Sequence, residues 1–234
     1  MRLDKFHSNN GFGSRKDVKS LIKKKQVSIN DSFDIKAESN IDPLKDIIKV
    51  NNEIIEYKEF YYFLLNKPKG YISATEDYKQ NTVLDLIPDY NHINLFPVGR
   101  LDKDTTGALL LTNDGPLGHY LLSPKRHVDK VYIATTDKEI PLSIKEEFEN
   151  GVLLDGELTL PAKLNILSAN TAEVTLHQGK YHQVKRMFSY FNLEVIKLHR
   201  KSFAFLTVEG LEEGKYRELT IEEIEKLKEL KPIQ

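Results

Sequence analysis

Two carboxylates, two hydroxyls and a guanidinium fall within seven positions of this chain, Arg100-Leu101-Asp102-Lys103-Asp104-Thr105-Thr106, with Gly99 before them and Gly107 after. A carboxylate on such a loop can act as a general base or as a nucleophile. Asp102 and Asp104 are equal candidates by residue type. The flanking glycines free the backbone at both ends. By composition alone the stretch also reads as a solvated connector. A second group lies in His177-Gln178-Gly179-Lys180-Tyr181-His182-Gln183-Val184-Lys185-Arg186-Met187-Phe188. On a helix, Val184, Met187, Phe188 and Phe191 share one face, and His182, Lys185, Arg186 and Ser189 share the other. An amphipathic helix with a solvated basic side accounts for that pattern on its own. Tyr132 is a third candidate, and by residue type it is a core aromatic with a satisfied hydroxyl.

These groups need elements to hold them. The loop feeds the apolar run Ala108-Leu109-Leu110-Leu111, which the turn signal Asn113-Asp114-Gly115 cuts, as expected of a buried strand. Tyr61-Tyr62-Phe63-Leu64-Leu65 is a strand by β-propensity and ends at the turn Asn66-Lys67-Pro68-Lys69-Gly70. Thr82–Asp85 opens a short helix that Pro88 halts. Leu117, Tyr120, Leu121 and Leu122 suggest a helix ending near Ser123-Pro124. Lys125–Ala134 alternates as a strand, with Tyr132 on the face opposite Val131 and Ile133. Ser143 and Glu146 are expected to box a helix over Ile144–Asn150, closed by Gly151. Lys163–Leu167 and Ala172–Leu176 form a hairpin. Val195–Arg200 and Phe203–Val208 read as two strands, and Thr220 with Glu223 boxes a last helix through Leu230.

Residues 1–57 read as a separate small unit and 58–234 as a second. Ser14 caps a helix over Arg15–Lys25, whose outer face carries Arg15, Lys16, Lys19 and Lys23. Short strands follow at Val27–Ile29, around Ile35, and as a hairpin over Ile47–Ile55. Net charge is −1, from 34 Lys/Arg and 35 Asp/Glu, but it is unevenly spread. Residues 1–25 hold eight Lys/Arg against two carboxylates, and residues 176–201 hold six against one. Two basic faces on a neutral body suit a polyanion. The absence of Cys excludes disulfides and thiolate metal sites. The seven His lack HExxH-like spacing, so no metal site is expected. No apolar run approaches the roughly 20 residues of a bilayer span. Met1-Arg2-Leu3-Asp4-Lys5 has no apolar signal core, so a cytoplasmic protein is expected. Gly11-Phe12-Gly13 lacks a preceding strand and a following Gly, which argues against a phosphate-binding loop.

Over the 17 positions GRLDKDTTGALLLTNDG the chain resembles the RsuA family of ribosomal RNA pseudouridine synthases. YFLLNKPKGY, SPKRHVDKVYI and HQGKYHQVKRMF match the same family, and MRLDKF with SRKDVKSLIKKKQVSIN resembles an S4 RNA-binding domain. The resemblance implies an α+β fold. It places a small S4-like domain before a catalytic domain built on a mixed, mainly antiparallel sheet flanked by helices. It prefers Asp102 over Asp104 as the catalytic carboxylate, makes Tyr132 the ring that stacks on the target uracil, and makes Lys185 the cation that pairs with the nucleophile. One departure stands out. Where relatives carry a Gly-rich stretch after Leu198-His199-Arg200, this chain has Lys201-Ser202-Phe203-Ala204-Phe205.

The implied reaction breaks the N1–C1′ bond of uridine and forms C5–C1′, and it needs no cofactor. The target base must be flipped out of its stack, at a few kcal/mol, onto an aromatic platform worth about 1–3 kcal/mol. A carboxylate in a partly dry pocket needs a cation within about 4–6 Å to stay charged. Arg100 is placed to fill the gap left by the base or to grip a phosphate. Arg15, Lys16, Lys19, Lys23, His182 and Arg186 are the expected RNA-binding residues. Within the family the small-subunit branch is expected, with 16S rRNA uridine 516 as target and a monomeric enzyme. The alternatives are a 23S rRNA synthase and a non-catalytic RNA-binding assembly factor.

Overall fold

The computed structural model describes residues 1–123, 126 and 128–230. Pro124, Lys125 and His127 of the SPKRHVDKVYI motif lie outside the described residues, as does the chain beyond Leu230. Two compact units divide the chain. The first comprises Met1–Phe60 with Pro88–Leu95, and the second comprises Tyr61–Ile87 with Phe96 onward.

The first unit holds helices α1 (Leu3–Asn9) and α2 (Arg15–Lys23) and strands β1 (Val27–Ile29), β2 (Ile48–Val50) and β3 (Glu53–Ile54), paired antiparallel in the order β1-β2-β3. Ser14 caps α2, as its sequence predicts, and Asp17 completes a capping box with it, although the helix stops at Lys23. Leu3, Phe6, Val27, Ile41, Ile48 and Val50 form the core. Arg15, Lys16, Lys19 and Lys23 are exposed on α2. Arg15 lies 3.8 Å from Asp4 and Lys19 3.1 Å from Glu38. His7 is fully buried between the rings of Phe6 and Phe12. The unit also takes in Pro88–Leu95, from which the His92 ring lies against Gly11.

The second unit is built on β4 (Tyr62–Lys67), β5 (Phe96–Pro97), β6 (Thr106–Thr112), β7 (Lys130–Thr136), β10 (Lys163–Ser168), β11 (Thr171–Leu176), β12 (Val195–Phe203), β13 (Leu206–Thr207) and β14 (Tyr216–Glu218). Among the described residues these nine strands form one sheet of order β10-β11-β7-β12-β6-β4-β14, with β13 on β12 and β5 on β6. Only the β12–β6 pair is parallel, so the sheet is mixed and mainly antiparallel. Every residue of β4 is buried, and Ala108–Leu111 of β6 have no exposed surface. Helices α3 (Gly115–Leu122), α4 (Ile144–Asn150), α5 (Gln183–Ser189) and α6 (Ile221–Glu229) flank the strands, and β8 (Leu153–Leu154) pairs with β9 (Glu157–Leu158) in a separate hairpin.

Two local expectations are corrected. Ser143 makes no capping bond. It is itself in a helical conformation, because Pro141 has already begun the turn, and the amides of Ile144 and Lys145 bond to the carbonyls of Pro141 and Leu142. The first of the two strands expected on either side of Lys201-Ser202 runs on to Phe203, with a register shift between Arg200 and Ser202, and the second is the short β13. The turn falls at Ala204, whose φ of 52° is a conformation that glycine adopts more easily.

Candidate active site

Lys67 ends β4, and its fully buried ammonium reaches beneath the carboxylate loop. Nζ donates to the carbonyls of Thr105 (2.8 Å), Asp102 (3.0 Å), Pro68 (3.1 Å) and Lys103 (3.4 Å). Burial lowers its pKa from 10.5 to about 8, against the pull of Asp104 and Asp102. Ser73 clamps the other side of the loop, donating to the Leu101 carbonyl at 2.9 Å and accepting from the Leu101 amide at 3.0 Å. Gly70 donates its amide to Lys103 at 2.8 Å. The polar loop is therefore a fixed structure and not a solvated connector. Gly107 closes it with a φ of 108°, and a Cβ there would collide with the Arg200 carbonyl on the parallel neighbour β12.

Asp102 is three-quarters buried, and both of its carboxylate oxygens are held. His182 Nε2 lies 3.2 Å from Oδ1, and Lys185 Nζ lies 3.1 Å from Oδ2. Lys185 also donates to Asp104 at 2.7 Å, so two carboxylates share one ammonium. Burial opposes the charge on Lys185, but the hydrogen bonds to Asp104 and Asp102 outweigh it and hold its pKa above the usual lysine value. The bond from Lys185 holds Asp104 below the ordinary carboxylate range. Both partners of Asp102 come from one turn. His182 sits at the start of α5 in a left-handed conformation, φ 47° and ψ 34°. Val184, Met187 and Phe188 bury the opposite face of that helix. Strained backbone of this kind collects at functional sites. The His182 ring stacks on Tyr181, with centroids 3.8 Å apart.

A cleft of about 430 Å³ opens beside Asp102, lined by Arg100, Thr105, Tyr132, Leu176, His182 and Leu198 among others. Tyr132 projects from β7 between Val174 on β11 and Arg200 on β12 and is nine-tenths buried. Arg200, buried beside it in the sheet, donates Nε to the Ala108 carbonyl at 2.6 Å and lies over the Phe203 ring. Arg100 is exposed where it borders the cleft. The structure thus brings Asp102, Tyr132, Lys185 and Arg100 together. His182, expected on the RNA-binding face, contacts the Asp102 carboxylate, while Arg186 points to Asp155 at 2.5 Å. Arg15, Lys16, Lys19 and Lys23 belong to the first unit. Lys67, Ser73 and the doubled partnership of Lys185 carry no signal of their role in the sequence, apart from a lysine that closes a strand whose first four residues are apolar or aromatic. Among the described residues no group of three His, Asp or Glu side chains could hold a metal ion, and no helix is long and apolar enough to cross a membrane.

Asp102 is thus a carboxylate held on both oxygens in a cleft that Tyr132 also lines. Comparison with known proteins gives the family. Residues 61–190 match the family model for RNA pseudouridylate synthases. The chain is 44% identical over 98% of its length to an uncharacterized RNA pseudouridine synthase of Bacillus subtilis, covering 99% of that protein. It is 38% identical over 98% of its length to ribosomal large subunit pseudouridine synthase B of the same organism, covering 96% of it. Against ribosomal small subunit pseudouridine synthase A of Escherichia coli the identity is 36%, over 96% of this chain and 98% of that one. A solved pseudouridylate synthase structure superposes with a TM-score of 0.68 at 38% identity, covering 97% of this chain and 99% of that one. The chain belongs to the RNA pseudouridylate synthase family, in the branch that holds ribosomal small subunit synthase A and large subunit synthase B, and is an RNA pseudouridine synthase.

Proposed function

We propose that this enzyme isomerises one uridine of 16S rRNA, at position 516, with Asp102 as the catalytic carboxylate. The observation that carries the catalytic part is the Asp102 carboxylate held at 3.2 Å by His182 and at 3.1 Å by Lys185, in a cleft that Tyr132 lines. The flipped uracil stacks on Tyr132, which offsets part of the few kcal/mol spent on unstacking. Lys185 and His182 fix the carboxylate plane, so little reorganisation remains when the glycosidic bond breaks. Arg100, exposed at the rim, occupies the space left in the RNA or grips a flanking phosphate. The basic face of α2 supplies further phosphate contacts in the manner of an S4 domain, and the enzyme acts as a cytoplasmic monomer.

The 16S assignment is supported by the small-subunit relatives, which match along nearly the whole chain. A 23S target is the second reading, favoured by the large-subunit relative at 38% identity. Pseudouridine mapping of both rRNAs in a strain lacking the protein separates them. Loss of one 16S site supports the first, loss of a 23S site supports the second, and no loss overturns both. Purified Asp102→Asn, nearly isosteric, should bind RNA and form no pseudouridine. Normal turnover by that variant refutes the catalytic assignment, and an inactive Asp104→Asn beside it moves the role to Asp104.

A further inference from the structure

The hairpin β8–β9 stands outside the main sheet, pairs only with itself among the described strands, and leaves Leu153 and Leu158 half exposed. Its neck is nonetheless fixed. Thr159 exchanges two bonds with Val152, through its amide at 2.9 Å and its hydroxyl at 3.0 Å, and the Leu160 amide donates to Gln178 at 3.2 Å. Gln178 and Lys180 line the same cleft as Asp102 and Tyr132. At the tip, Asp155 and Gly156 both have positive φ, the two-residue turn that brings hairpin strands together. From that tip Asp155 holds Arg186 at 2.5 Å, and from β9 Glu157 holds Lys180 at 2.7 Å.

The two sides of these pairs differ. The cations are packed, with Lys180 and Arg186 side chains 32% and 29% exposed, while the carboxylates of Glu157 and Asp155 are 77% and 81% exposed. Each cation is positioned by the body of the site, and each acid is presented by a thin protrusion. Exposed ion pairs of this kind contribute only about 0–1 kcal/mol, so a polyanion can displace them. We propose that Lys180 and Arg186 form a phosphate-binding rim beside the catalytic cleft, and that the carboxylates of Asp155 and Glu157 occupy the positions taken by two phosphates of the bound RNA. This rests on the reading that the RNA target enters that cleft. The hairpin then neutralises the rim until a strand of the right shape displaces both acids. Polyanions that reach only one cation leave the other pair in place.

Counterion release makes the rim measurable. A phosphate that meets a free cation contributes about 0.7–0.9 to the slope of log K against log salt. A phosphate that displaces a carboxylate contributes less, because the freed acid takes up a cation. In the full-length protein, Asp155→Asn with Glu157→Gln should therefore bind 16S or 23S rRNA transcripts more tightly, by up to about 30-fold from two pairs of at most about 1 kcal/mol each. The salt slope should steepen by up to about 1.4–1.8. The single-turnover rate at saturating enzyme should stay within about twofold of wild type. Glu173→Gln, which frees Lys201 from a pair outside the rim, should leave the slope unchanged. In a Lys180→Gln background, Glu157→Gln should no longer tighten binding, since the pair is already broken. An unchanged slope in the double variant, an equal change in Glu173→Gln, or a persisting gain in the Lys180→Gln background overturns the rim. Absence of salt-dependent binding of either transcript by the wild-type protein overturns the RNA reading itself, and the rim with it.

Discussion

Replacing Lys67 by Met removes an ammonium with three protons that serves four carbonyls. The carbonyls of Asp102 and Thr105 lose their shortest bonds to it, and unsatisfied buried acceptors cost about 1–3 kcal/mol each. Against this stands the burial that draws the lysine pKa from 10.5 to about 8. At 1.36 kcal/mol per unit, that is about 3 kcal/mol carried by the charged native state at neutral pH, and it disappears with the ammonium. The two effects nearly cancel, so global stability should stay within about 2 kcal/mol of wild type. Catalysis has no such compensation. A shift of about 1 Å in a catalytic group costs around 100-fold, or about 2.7 kcal/mol of barrier. The expected outcome is a near-normal melting temperature with a single-turnover rate down about 100-fold. The wild-type enzyme carries a second test. Its charged Lys67 is penalised in the folded state, so the stability contributed by this group rises as pH climbs from 8 to 10.5. Over the same window the ammonium becomes an amine with one donor fewer, so the rate should fall. A Lys67→Met enzyme with wild-type rate, or one whose melting temperature collapses in step with its rate, refutes this reasoning.

Lys185→Met should reduce catalysis far more than RNA affinity, while Lys185→Arg should be milder because the charge persists with altered geometry. Single-turnover rates beside binding isotherms check this, and equal losses in both count against the pairing with Asp102. The buried His7 ring has its pKa lowered from 6.5 to about 4 by burial. Its neutral form is the stable one in the fold, so its contribution is fully present above pH 6.5 and is lost, by up to about 3 kcal/mol, as pH falls toward 4. Urea unfolding between pH 7 and 4 should therefore show a shallower acid loss in His7→Leu than in wild type, and parallel curves would exclude His7 as the cause.

Elements announced by local chemistry were legible in the sequence. Ser14, and Thr220 with Glu223, mark the starts of α2 and α6 because a cap bond spans three residues and needs no distant partner. The strand β6 was legible because four apolar residues between turn signals have few alternatives. What depends on distant chain was not. Lys67 reads as a surface lysine until Asp102 and Thr105 fold over it. His182 reads as part of a basic face until its left-handed backbone turns the ring to Asp102. Nothing near Lys185 in the sequence shows that Asp104 competes for it. The hairpin β8–β9 did carry a signal, Asp155-Gly156 between leucines, of the kind that marks a two-residue turn. Asp102 was separable from Asp104 only by family resemblance, since the two acids differ by context and not by type.

The assignment of Pro88–Leu95 to the first unit has a consequence for how the chain is made. A nascent polypeptide emerges from the ribosome in order, at about 5–20 residues per second. The N-terminal unit is not complete at Phe60, because its segment Pro88–Leu95 is still to come. The 35 residues from 61 to 95 delay its closure by about 2–7 s. Within that interval β4 emerges, fully apolar on both faces up to Asn66, while its partner β6 does not begin until Thr106. Vectorial synthesis therefore holds an unpaired Tyr62–Leu65 segment beside an unfinished domain, and this interval is where a chaperone or the ribosome surface has the most to shield.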